Sequence, residues 1–135
     1  MTPQFIYFNE IGNNDGKLIA LEENINIPFN IKRVYYIYNT LKGVRRGFHA
    51  HKTLEQVLVC VSGSCKVLID DGNEKEIVTL DTCTKGLYIK SVIWREMFDF
   101  KEGTVLMVLA SELYDENDYI RSYATFKQFI ARGSK

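Results

Sequence analysis

Apolar residues along the chain come in short runs separated by Gly, Asn and Asp. The runs IKRVYYIYN, EQVLVCV, CKVLI, EIVTL, GLYIK and GTVLMVLAS are rich in β-branched and aromatic residues, which predicts strands. Turn signals stand between them at GNNDG (12–16), VSGS (61–64), DDGNE (70–74) and KEG (101–103). The Asp71-Gly72 pair is a strong hairpin signal, because both residue types accept positive φ at little cost. Many short strands at about ten-residue spacing predict an antiparallel sandwich or barrel. Phe5, Ile6, Tyr7 and Phe8 form a further apolar run, expected as an edge strand.

The pattern changes near the C-terminus. Thr125-Phe126-Lys127-Gln128 has the form of a capping box, and FKQFIAR continues it as a short helix with Phe126, Phe129 and Ile130 on one face. The preceding YDENDYIRSY reads as a helical turn followed by a strand, structural in role. No linker, repeat or composition break interrupts the chain, so a single domain over 1–135 is expected.

Composition narrows the class. Of 135 residues, 46% are hydrophobic and 25% charged, which is ordinary for a globular domain. Seventeen basic residues balance 17 acidic ones, so neither nucleic acid nor a membrane surface is an expected partner. No run approaches the ~20 apolar residues of a membrane span. Cys60, Cys65 and Cys83 are odd in number and lack CxxC spacing. They read as small buried hydrophobes of a reducing, cytoplasmic protein.

Charge is distributed unevenly. Lys32, Arg33, Lys42, Arg45, Arg46 and Lys52 fall in one stretch without an acidic residue, and that stretch leads into both histidines of the chain. A basic run is often only a solvated surface; beside histidines it also suits a phosphate-binding mouth. His49-Ala50-His51 puts two imidazoles on one face of a strand, where they can bind metal, move protons or simply pack. Arg33 and Tyr35 share one face of their strand, opposite Tyr36 and Tyr38. Trp94 reads as core.

The spacing Gly43-x5-His49-x-His51-x4-Gln56-x6-Gly63 resembles the first cupin motif, with Gln56 where metal-binding members carry Glu. The second motif would place Val92, Trp94 and Met97 where Pro, Gly and His belong. The resemblance implies an all-β cupin, a double-stranded β-helix or antiparallel jelly roll, with a short C-terminal helix. The ligand set is too depleted for metal, so acid/base chemistry is expected of the histidines.

The strings IPFNIKRVYYIYN (27–39), RGFHAHKTLEQVLVCVSGSCKVLIDDG (46–72), WREMFDF (94–100), VLMVLAS (105–111) and YDENDYIRSY (114–123) together resemble the sugar-nucleotide 3,4-ketoisomerases, which act on dTDP-4-keto-6-deoxyglucose. That resemblance implies a cofactor-free tautomerisation: loss of the C3 proton, an enediol or enediolate, and reprotonation at C4. The product is a 3-keto-6-deoxyhexose for 3-amino-3,6-dideoxyhexoses of surface glycans such as lipopolysaccharide. His51 is implied as the essential base, His49 as relay, and Tyr35 as helper at the oxyanion. Arg33, Arg46 and Lys52 are the implied diphosphate contacts. Family members carry Trp-Arg or Trp-His where this chain has Trp94-Arg95, and the former goes with the gluco product, to which Arg95 points. Lys17 is the implied N-terminal partner of that choice. A homodimer is also implied. Two other readings compete: a 3,5-epimerase on the same scaffold, and a non-catalytic cupin that only binds a sugar nucleotide.

Overall fold

Every apolar run named above forms a strand. The computed structural model describes residues 1–133, so positions 134 and 135 of the expected domain lie outside the described residues. In chain order the strands are β1 (Gln4–Tyr7), β2 (Ile11–Asn13), β3 (Gly16–Leu18), β4 (Arg33–Tyr38), β5 (Arg46–His51) and β6 (Gln56–Ser62). They continue as β7 (Cys65–Asp70), β8 (Lys75–Leu80), β9 (Lys85–Ile89), β10 (Trp94–Phe98), β11 (Val105–Ala110) and β12 (Tyr119–Ile120), followed by helix α1 (Tyr123–Gly133).

Two five-stranded antiparallel sheets face each other in the order β1-β9-β6-β11-β4 and β12-β5-β10-β7-β8, with β2 and β3 as a separate hairpin. This is the expected jelly roll, with β1 at an edge. Alternation sets which residues turn inward. Leu58, Leu87, Leu106 and Val108 of the first sheet meet Val67, Ile69, Leu80 and Met97 of the second in one buried cluster. Burying these side chains is the main stabilising term, roughly 1.5–3 kcal/mol for each large aliphatic one. The outer face of the first sheet (Val57, Val59, Leu109) is covered by Ile27 and Phe29 from the segment before β4.

The turn between β7 and β8 follows the Asp-Gly signal: Gly72 has φ +91, and the Asp71 carboxylate accepts from the N–H groups of Asn73 and Glu74. Helix α1 differs from expectation at its start. It begins at Tyr123, and the Ser122 hydroxyl accepts from the Thr125 N–H. Ser122 therefore does the capping expected of Thr125, which sits inside the first turn. Phe126 packs on Trp94, Ala50 and Ile120, so α1 covers the outer face of the second sheet and Trp94 is core. YDENDYIRSY is a 3-10 turn (Glu116–Asp118) followed by β12. Cys60 and Cys65 are buried as expected, whereas Cys83 is exposed because it lies in the turn before β9.

Candidate active site

One end of the space between the sheets is polar. A cavity of about 520 Å3 there is lined by Arg33, Tyr35, Ile37, Arg46, Gly47, His49, Met97, Tyr119 and Arg121, with Tyr36 and Tyr38 at its edge. Residues from β4, β5, β10 and β12 thus converge, although they are far apart in sequence.

A bulge in β5 makes the convergence possible. Opposite β10, Arg95 pairs with His49 but Glu96 pairs with Gly47, leaving Phe48 as an extra residue. Gly47 (φ +94) and Phe48 (φ +57) both adopt left-handed backbone there. Strict alternation would put Arg46 on the face opposite His49. The bulge reverses the phase, so Arg46, His49 and His51 all turn inward.

His51 is fully buried. Its Nδ1 lies 3.1 Å from Asp118 Oδ2. Asp118 is fixed in turn: its carboxylate accepts from Thr53 N (2.8 Å), Thr53 Oγ1 (2.8 Å) and Leu54 N (3.2 Å). Burial alone would raise the pKa of Asp118, but these bonds and the neighbouring imidazole outweigh it and hold it low. An ionised carboxylate only accepts, so His51 Nδ1 carries the proton and Nε2 carries the lone pair. That Nε2 is buried without a hydrogen-bond partner. The ring packs against His49 and Tyr119, with centroids 4.9 and 4.4 Å away. Both neighbours line the cavity, so His51 stands directly behind its wall.

His49 follows the same logic. Its Nδ1 lies 3.1 Å from the Gly47 carbonyl, which can only accept, so its Nε2 is also unprotonated in the neutral ring. Burial first, then the charge of Arg95, lowers the pKa of His49 to about 4 and that of His51 to about 3. Both rings are therefore neutral near pH 7.

Arg95 is the charge responsible, and it is 1% exposed. Burial lowers its pKa to about 10, so it remains a cation at neutral pH. It donates from Nη1 to Gln56 Oε1 (2.5 Å) and from Nε and Nη2 to the Ile93 carbonyl. Gln56 Nε2 in turn lies 3.1 Å from Tyr35 Oη. Arg33 lies over the Tyr35 and Tyr114 rings, and its buried Nε and Nη2 lack partners. Arg121 stacks on Tyr119 and pairs with Glu116.

The structure thus gathers Arg33, Tyr35, Arg46, His49 and His51, with Arg95 one layer beneath. Lys52 and Lys17 stand elsewhere. Lys52 follows the inward-facing His51 and so turns outward, into a groove beside α1. Lys17 sits on the β2–β3 hairpin, 3.3 Å from Glu10, beside a separate apolar cavity. The basic run is likewise divided: Arg45 pairs with Glu96 and Lys32 with Glu112, both away from the cavity. Asp118 and Tyr119 were hidden in a segment that reads as structural from sequence. No local signal marked them, because only the pairing of β12 with β5 brings them beside His51.

A metal does not fit this end of the barrel. Met97 stands in the ligand position of the second cupin motif, and the Gln56 oxygen is occupied by a guanidinium whose charge opposes a metal ion. Among the described residues no group of three or more His, Cys, Asp or Glu is arranged to hold one.

Comparison with known proteins sets this geometry in a family. Residues 1–131 match the family model described as FdtA: WxcM-like, C-terminal. A TDP-4-oxo-6-deoxy-alpha-D-glucose-3,4-oxoisomerase of Aneurinibacillus thermoaerophilus is 55% identical over 98% of this chain and 95% of its own length. The chain belongs to the sugar-nucleotide 3,4-ketoisomerase family. The ketoisomerase fold is also shared with QdtA of Thermoanaerobacterium thermosaccharolyticum, solved with TDP: TM-score 0.94, 47% identity, covering 97% of this chain and 96% of that one. WlaRB of Campylobacter jejuni, a TDP-quinovose 3,4-ketoisomerase, gives a TM-score of 0.89 and 48% identity, covering 93% of this chain and 97% of that one. A 3'-monoepimerase of Streptomyces bikiniensis is 16% identical with a TM-score of 0.75, a likeness of fold alone. In this ketoisomerase the polar cavity between the sheets at one end is the candidate site.

Proposed function

We propose that the protein converts dTDP-4-keto-6-deoxyglucose to the 3-keto isomer, with residues 1–135 acting as one catalytic domain. His51 carries this reading: one ring nitrogen is fixed by Asp118, while the other is an unpartnered lone pair at the wall of a cationic cavity. The base takes the proton from C3, and the electron pair moves to O4 as an enediolate. The resulting imidazolium is stabilised by Asp118. The O3 proton passes to O4, a proton returns to C4 from His51, or from His49 acting as relay, and O3 becomes the carbonyl. Atoms and charge balance with no second reactant. His51 Nε2 stands behind the His49 and Tyr119 rings, so a sugar in the cavity reaches it only where one of those rings turns aside.

The Arg33 donors without partners suit the diphosphate, and Arg46 lies at the same mouth. A relative supports the ligand: QdtA has been solved both with TDP and, as a His-to-Asn variant, with TDP-4-keto-6-deoxyglucose. Arg95 supports the gluco product. The reaction would serve amino-sugar synthesis for surface glycans in the cytoplasm, in keeping with three free cysteines. Exposed Val34, Tyr36 and Tyr38 on the outer face of β4 support a homodimer, checked by light scattering.

Incubation with dTDP-4-keto-6-deoxyglucose in D2O, followed by NMR, tests the reaction. A carbonyl at C3 and deuterium at C4 are expected, with the C4 configuration read from the ring couplings. A carbonyl that stays at C4 while C5 exchanges identifies an epimerase, and binding without turnover identifies a sensor.

A further inference from the structure

The buried Arg95–Gln56–Tyr35 chain has a direction imposed by chemistry. A guanidinium has five donors and no acceptor, so the Gln56 atom facing Arg95 Nη1 at 2.5 Å is its oxygen. The amide orientation is therefore fixed, and its nitrogen must face Tyr35 Oη at 3.1 Å. An amide NH2 only donates, so the phenol oxygen accepts there. Its single proton points away from Gln56, and Tyr35 lines the cavity. Burial also raises the Tyr35 pKa, against the opposing effects of Gln56 and Arg95, so the phenol keeps that proton near pH 7. Gln56 is 2% exposed and is reached by no other described polar side chain than these two.

We propose that Gln56 is a positioning residue that holds Tyr35 as a hydrogen-bond donor toward the cavity, where the enediolate oxygen develops. This rests on the ketoisomerase reading of the cavity and on Tyr35 touching the substrate. A glutamate at 56 would reverse the direction: its carboxylate accepts from both Arg95 and Tyr35, and so captures the phenol proton. The position where cupins carry a metal-binding Glu thus requires an amide here, because only an amide accepts from Arg95 and donates to Tyr35 at once.

Gln56→Glu, Tyr35→Phe and the double variant test this with dTDP-4-keto-6-deoxyglucose as substrate. Loss of an oxyanion donor costs roughly 100-fold or more in kcat. Gln56→Glu is expected to lose kcat by about that factor, to keep KM within a few-fold, and to unfold near the parental temperature. The double variant should be no slower than Tyr35→Phe, since both remove one interaction. Gln56→Leu, which cannot orient the phenol, should show the same loss and the same non-additivity if Gln56→Glu does not fold. Parental kcat in Gln56→Glu or Gln56→Leu, with Tyr35→Phe slow, overturns the positioning role and leaves Tyr35 as donor. Multiplicative losses overturn it as well. A fully active Tyr35→Phe overturns it through the reading of Tyr35 itself.

Discussion

At the scale of single residues, the site depends on which ring nitrogen of each histidine is engaged. Asp118 and the Gly47 carbonyl bind the Nδ1 atoms, so both lone pairs sit on Nε2. His51→Asn keeps a hydrogen-bonding group near Asp118 but has no lone pair of comparable basicity. Turnover should fall by 10²–10⁴-fold, the usual contribution of a general base. TDP affinity measured by calorimetry should change less than a few-fold, and unchanged turnover would remove His51 from the mechanism. The pH profile is equally specific. With folded pKa values of about 4 and about 3, kcat/KM should stay nearly flat from pH 7.5 to 5. An ordinary imidazole, with a pKa near ~6.5, would lose about thirtyfold over that range. An inflection near 6.5 contradicts a neutral pair depressed by burial and by Arg95. The histidines, Tyr35 and Arg33 were legible from alternation and spacing. Asp118 and Tyr119 were not, because β12 reaches β5 only through long-range pairing, at Tyr119↔His51.

At the scale of elements, the sequence reading located most strands, though not β2, β3 or β10, and it missed the change of phase within β5. Runs such as RVYYIY reveal themselves through period-two burial. A bulge adds one residue without altering the apolar pattern around it, so the inward turn of Arg46 followed only from the register with β10. The local sign was a glycine inside a strand, at 47. Its role can be checked. A Cβ at Gly47 would lie 2.9 Å from the Arg95 carbonyl oxygen, on backbone at φ +94. Gly47→Ala should cost about 1–3 kcal/mol in urea unfolding and weaken kcat/KM by displacing Arg46 and His49. Phe48→Gly relieves left-handed backbone at φ +57 and should not cost stability through strain. Equal stability of Gly47→Ala and the parent would show that the bulge is not held as described.

At the scale of the whole molecule, one end of the jelly roll is filled by apolar side chains and the other by a buried cation and two neutral histidines. The second arrangement makes stability depend on pH. In the unfolded chain an imidazole takes its proton near pH ~6.5. In the folded protein His49 and His51 do so only at about 4 and about 3. Between these values the unfolded state binds more protons, so their contribution is complete above pH 6.5 and is lost as pH falls toward the folded values. Each unmatched proton is worth about 1.4 kcal/mol per pH unit. Carboxylates such as Glu116, held down to about 2 by Arg121, act in the same direction but only below their ordinary pKa of 4.5. The interval from pH 6.5 to 5 therefore isolates the histidines. Urea midpoints should fall across it for the parent and should fall less for His49→Asn and for His51→Asn. A parental midpoint independent of pH from 6.5 to 5 would mean that the two rings gain protons in place, and that burial and Arg95 do not hold them neutral.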